Sequence, residues 1–210
     1  MKRKNGLFSD VHKMVQLAVL VAIIALLTFT PIGYLKAGVV EITFLQIPVV
    51  IGAIFLGPKA GAFLGGIFGL TSFLQCVGVG AVPSPFGAAL LSVNPYLTAV
   101  LCIVPRILMG LLAGVIFRSF PKQKTAMRHV SYAVSSLSGA LLNTLFFMTG
   151  LILLFGRTEY ILNMQGGKSV LAFLAGLVGV NGLIEAAACL VIGTALCEGI
   201  GGYFRSKGRG

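Results

Sequence analysis

The sequence predicts an all-α integral membrane protein: a six-helix transmembrane bundle with both termini cytoplasmic, formed by a single membrane domain over residues 1–210. Three observations predict it. The chain is 57% hydrophobic and only 10% charged, with a mean hydropathy of +1.01, a balance that suits lipid rather than a water-facing surface. Its apolar residues fall into six runs. Its basic residues gather at the ends of those runs, densely on one side and sparsely on the other, as the positive-inside rule requires.

The spans follow in order. Span 1 is about 13–30. Lys2, Arg3 and Lys4 ahead of it imitate a signal peptide, but the stretch from Met14 to Phe29 is long for one. It ends at Thr30-Pro31-Ile32-Gly33 with no small-x-small cleavage site, so it reads as a retained helix. Span 2, about 42–56, is shorter than the roughly 20 residues that normally cross a bilayer, and is expected to lean on its neighbours. Gly57-Pro58-Lys59 is a tight turn into span 3, about 59–76. Gly57, Gly61, Gly65 and Gly69 run along span 3 at four-residue spacing, and Gly110 and Gly114 repeat it in span 4, about 96–118. Such faces let helix backbones approach closely in lipid. Span 5, about 128–155, and span 6, about 169–203, complete the set.

With the N-terminus inside, the cytoplasmic segments hold Lys13, Lys59, Arg118, Lys122, Lys124, Arg128, Arg205, Lys207 and Arg209 as well as the first three cations. The outside segments keep Lys36, Arg157 and Lys168. Three outside loops, about 31–41, 77–95 and 156–168, read equally as covers over an outward-facing cavity or as ordinary connectors.

Charge and motif also exclude functions. The net charge of +11 lies at span ends, which argues against a nucleic-acid partner. Cys76, Cys102, Cys189 and Cys197 show no metal-ligand spacing and read as buried, inert thiols. Gly167-Lys168-Ser169 resembles the end of a phosphate loop, but Leu162 stands where that pattern needs glycine. His12 and His129 lie near cytoplasmic boundaries among cations. With no GxSxG, no HExxH and no metal set, the sequence predicts no catalytic residue, no metal, no cofactor and no enzyme activity.

What remains is a set of polar residues at membrane depth, where a charge costs about 2.5–3.5 kcal/mol or more and is a functional hypothesis by default. At 1.5 Å per residue, Arg106 lies about 15 Å below the outer end of span 4, and Asn143 about 18 Å below that of span 5. Asn181 lies about 18 Å and Glu185 about 24 Å below the outer end of span 6. Polar groups converging from three helices can fix a ligand in a mostly apolar pocket. The alternative is structural: Arg106 pairs with Glu185, and the asparagines bond helices together. Pro105 frees a backbone carbonyl beside Arg106, whose planar fork suits a carboxylate or phosphate. Asn94, before Pro95, is either a loop residue reaching a ligand or a turn residue. Glu41 is better placed as a first-turn helix charge than as a lid residue.

The chain resembles the substrate-binding S component of energy-coupling factor (ECF) vitamin transporters. The resemblance rests on six short helices, Ala18-x-x-x-Ala22 in span 1 continued by Ala25, and the run Glu41-Ile42-Thr43-Phe44-Leu45-Gln46-Ile47-Pro48 leading to Gly57-Pro58-Lys59-Ala60-Gly61, with Pro105-Arg106 in span 4. It implies a bacterial plasma-membrane protein with a vitamin cavity under the loops after spans 1 and 3. It also implies that the alanine face docks on a transmembrane T subunit coupled to two ATPases. The pattern is most similar to pantothenate-specific members, with Arg106 on the carboxylate and Asn181, Glu185 and Asn143 on hydroxyl and amide groups. Folate- and pyrimidine- or thiamine-precursor-type members share much of it. A stand-alone secondary transporter is the competing class, although no internal repeat joins spans 1–3 to spans 4–6.

Overall fold

The computed structural model describes residues 11–37, 40–120 and 125–207. Lys2, Arg3, Lys4, Lys122, Lys124 and Arg209 lie outside them. Helix α1 (Val11–Thr28) buries Leu17, Ile24 and Thr28 and turns Val15, Val19, Ile23 and Leu26 outward. Ala18 and Ala22 share the outward side, while Ala25 is half-buried. A 3-10 turn, Pro31–Gly33, leads into strand β1 (Tyr34–Ala37). This pairs antiparallel with β2 (Val40–Thr43), with Tyr34 opposite Thr43 and Ala37 opposite Val40.

The hairpin corrects the expected start of span 2 at residue 42. Ile42 and Thr43 finish a strand, and α2 runs only from Gln46 to Phe55. At 1.5 Å per residue α2 is about 15 Å long, half the hydrocarbon thickness. It survives because it is wrapped by protein, buried from Gln46 to Ile54. Helix α3 (Pro58–Cys76) starts after Gly57, whose φ of 103° closes the tight turn.

The second and third of the loops expected outside are not irregular connectors. The second folds into α4 (Pro85–Val93), and the third into α7 (Glu159–Gln165), which stops at left-handed Gly166. Helix α5 (Pro95–Ser119) and α6 (Thr125–Phe155) match spans 4 and 5 closely. Span 6 is an interrupted helix: α8 (Val170–Ala188), a π-helical turn over Cys189–Gly193, then α9 (Thr194–Lys207). Among the described residues, four helical stretches are long and apolar enough to cross a membrane: Val11–Thr28, Pro95–Ser119, Met127–Phe155 and Asn181–Tyr203.

The glycine row of α3 is packed against α5. Gly61 meets the Gly110 carbonyl and Gly65 meets the Arg106 carbonyl, while a methyl on Gly69 would stand 2.6 Å from Ile103 Cα. With no Cβ in the way, the two backbones touch directly beside Arg106. Two apolar clusters flank this pair. One holds Leu64, Phe68 and Met109, and the other Phe86, Leu101, Leu151 and Phe155.

Candidate functional site

A cavity of about 90 Å³, counted as the space open to the centre of a water molecule, lies among β2, α3, α4, α5, α6 and α8. That is several times the roughly 10–15 Å³ that one water needs. Arg106, Asn143, Asn181 and Glu185 all line it, and each is buried. They reach it from α5, α6 and α8, the three helices named for them above.

Arg106 is aimed by its own helix. Pro105 has no N–H to give the carbonyl four residues back, and Arg106 Nη1 donates to that same Leu101 oxygen at 3.0 Å. The guanidinium lies over the rings of Phe147 and Phe68, with centroids 4.8 and 5.5 Å from Cζ. Its Nε is buried and has no hydrogen-bond partner. Among the described residues no carboxylate comes within 4.0 Å of it. An Arg106–Glu185 ion pair is therefore not formed.

Glu185 does something else. Its Oε1 accepts from the Thr43 backbone N–H at 2.8 Å, and Gln46 Nε2 donates to Oε2 at 3.5 Å, a long bond. The carboxylate thus ties α8 to the junction where the hairpin becomes α2. Asn143 Oδ1 and Gln75 Nε2 are buried at the cavity without partners. Unsatisfied buried groups of this kind call for an explanation, and a ligand is one.

Asn94 takes the turn-residue alternative, and the expected placement of Glu41 is corrected. Asn94 does not line the cavity; its Oδ1 accepts from the N–H groups of Tyr96 and Leu97 at 3.1 Å and caps α5. Glu41 is not in a first helical turn, because the strand displaces it from α2. It lines the cavity instead, accepting from Ser84 Oγ at 3.0 Å. Ser84 Oγ in turn accepts from Gly87 N–H at 3.2 Å, so the hairpin is bonded to the head of α4.

Other lining residues were not anticipated, among them Ser72, Gln75, Thr98 and Thr144. Helical spacing would have found some of them. Thr98, Cys102 and Arg106 lie four apart on one face of α5, and Ser72, Gln75 and Cys76 share a face of α3.

Residues 12–196 match the family described as "ECF transporter, substrate-specific component". The chain belongs to this family. It is also 33% identical over 190 residues to "Pantothenate transporter PanT" of Leuconostoc mesenteroides, covering 86% of this chain and 85% of that protein. It is 29% identical over 166 residues to "Pantothenic acid transporter PanT" of Lactococcus lactis subsp. cremoris, covering 75% of this chain and 76% of that protein. This ECF substrate-specific component is thus similar to two proteins described as pantothenate transporters. It is a membrane transport subunit and not an enzyme.

Proposed function

We propose that this S component captures pantothenate from outside the bacterial plasma membrane. The observation that carries this reading is the buried Arg106 guanidinium, with an unpartnered Nε and no carboxylate partner among the described residues. A buried charge left uncompensated is costly, and a carboxylate ligand supplies the missing partner in the fork geometry that guanidinium prefers. Pantothenate carries one carboxylate, two hydroxyls and an amide. Asn143 Oδ1 offers an acceptor for a hydroxyl or amide N–H, and Gln75 Nε2 offers a donor for a carbonyl or hydroxyl oxygen. Asn181 and Glu185 extend the polar wall on α8. The two PanT relatives support the same substrate.

Capture is coupled to transport by a T subunit and two ATPases, and the exposed Ala18 and Ala22 give the T subunit a close-packing face on α1, continued by Ala25. In this reading the chain crosses the membrane six times with both termini inside. Its short α2 is shielded by the surrounding helices.

Calorimetric titration of the purified protein against pantothenate, folate and thiamine or pyrimidine precursors tests the substrate. Binding of pantothenate alone is expected. No heat with pantothenate, together with a clear isotherm for another vitamin, overturns the assignment. Uptake by cells carrying this chain without the ATPase module would overturn the coupling and favour a secondary transporter.

A further inference from the structure

Cys76 ends α3 and Cys102 lies in α5, 26 residues apart in sequence, yet their sulfur atoms are 3.8 Å apart. Both thiols are free, and both line the cavity. Their exposures of 7% and 5% are small but not zero, so what enters the cavity can reach them. Cys102 is one helical turn from Arg106 on the same face of α5. The backbone of Gly87, at the start of α4, packs on the Cys76 sulfur. Cys189 and Cys197 are also buried and free, but do not line the cavity.

We propose that Cys76 and Cys102 form a dithiol modification site in the cavity wall, which a small two-electron oxidant converts to a disulfide bonding α3 to α5. The sulfurs need to close from 3.8 Å to about 2.05 Å. With an azodicarboxamide as oxidant, one thiol adds across the N=N bond, placing its sulfur on one nitrogen and its proton on the other. The second thiolate attacks that sulfur, the S–N bond breaks, and the S–S bond forms. The hydrazine leaves with both protons and both electrons. With peroxide the same two electrons and two protons yield two waters.

The test treats purified protein in detergent with the azodicarboxamide diamide. It then maps cross-linked peptides and intact mass, with and without saturating pantothenate. The expected result is a loss of two mass units, a Cys76–Cys102 peptide, reversal by dithiothreitol, and at least tenfold slower oxidation when pantothenate is bound. The Cys189→Ser/Cys197→Ser variant should behave like the parent, and Cys76→Ser should give no such peptide. Two free thiols at 76 and 102 after exhaustive treatment of the parent protein would overturn the proposal. Only the protection arm rests on the pantothenate reading. Disulfide formation that pantothenate does not slow upholds the dithiol site and counts against this cavity as the vitamin's site.

Discussion

Replacing Arg106 with alanine tests the cavity most directly. Nη1 is already engaged with Leu101, so a ligand carboxylate meets the rest of the fork, starting with the unpartnered Nε. Two charge-assisted bonds are each worth about 1.5–3 kcal/mol. Truncating one partner of a buried charge pair typically costs about 2–5 kcal/mol. At about 1.4 kcal/mol per tenfold, that is roughly 30-fold to several thousand-fold weaker pantothenate binding. Arg106→Lys keeps the charge but loses the fork, and should fall between alanine and the parent. Isothermal titration in detergent measures both. Arg106→Ala also leaves the Leu101 carbonyl without its donor, so a thermal melt must accompany each titration to separate unfolding from lost affinity. A folded Arg106→Ala protein that binds within threefold of the parent would refute the reasoning.

The other predictions concern the scaffold around the cation. Glu185→Ala strips the buried Thr43 N–H of its acceptor and should destabilise the hairpin junction by about 1–3 kcal/mol, read as faster amide exchange at Thr43. Gly65→Ala drives a methyl into the Arg106 carbonyl, whereas Gly66→Ala meets nothing nearer than Ile107 Cγ1 at 3.6 Å. The first should lower the melting temperature and weaken binding, at a cost of about 1–3 kcal/mol; the second should leave both near the parent. Ala18→Trp and Ala22→Trp should block assembly with the T subunit in co-purification while leaving the binding isotherm intact. Assembly that survives both would move the docking face elsewhere.

What the sequence revealed depended on whether the signal was local. Pro105 beside Arg106 pointed to a freed carbonyl, and the hydrogen bond that carbonyl accepts from the guanidinium is a local contact five residues along one helix. The glycine spacing of α3 likewise predicted a close face, although not that α5 would fill it. The hairpin was hidden because Ile42 and Thr43 run without a break into the apolar residues of α2, so one hydrophobic stretch covered a strand and a helix. Depth along a helix says nothing of azimuth between helices. Pairing of Glu185 with Arg106 therefore stayed open as an alternative, although the carboxylate turns to Thr43. The π turn at Cys189–Gly193 has no compositional mark within a continuous apolar run.

The double position of Glu185 has a thermodynamic consequence. One carboxylate is at once part of the cavity wall and the acceptor that holds the hairpin's exit strand. A solute hydroxyl that bonds to it shares oxygens already committed to Thr43 and Gln46. Cavity occupancy and hairpin attachment are then linked equilibria, and linkage runs equally in both directions. Whatever factor occupancy applies to the hairpin's detachment, a detached hairpin applies to the affinity of the cavity. The affinity of the cavity then reports how firmly the strand in its wall is held.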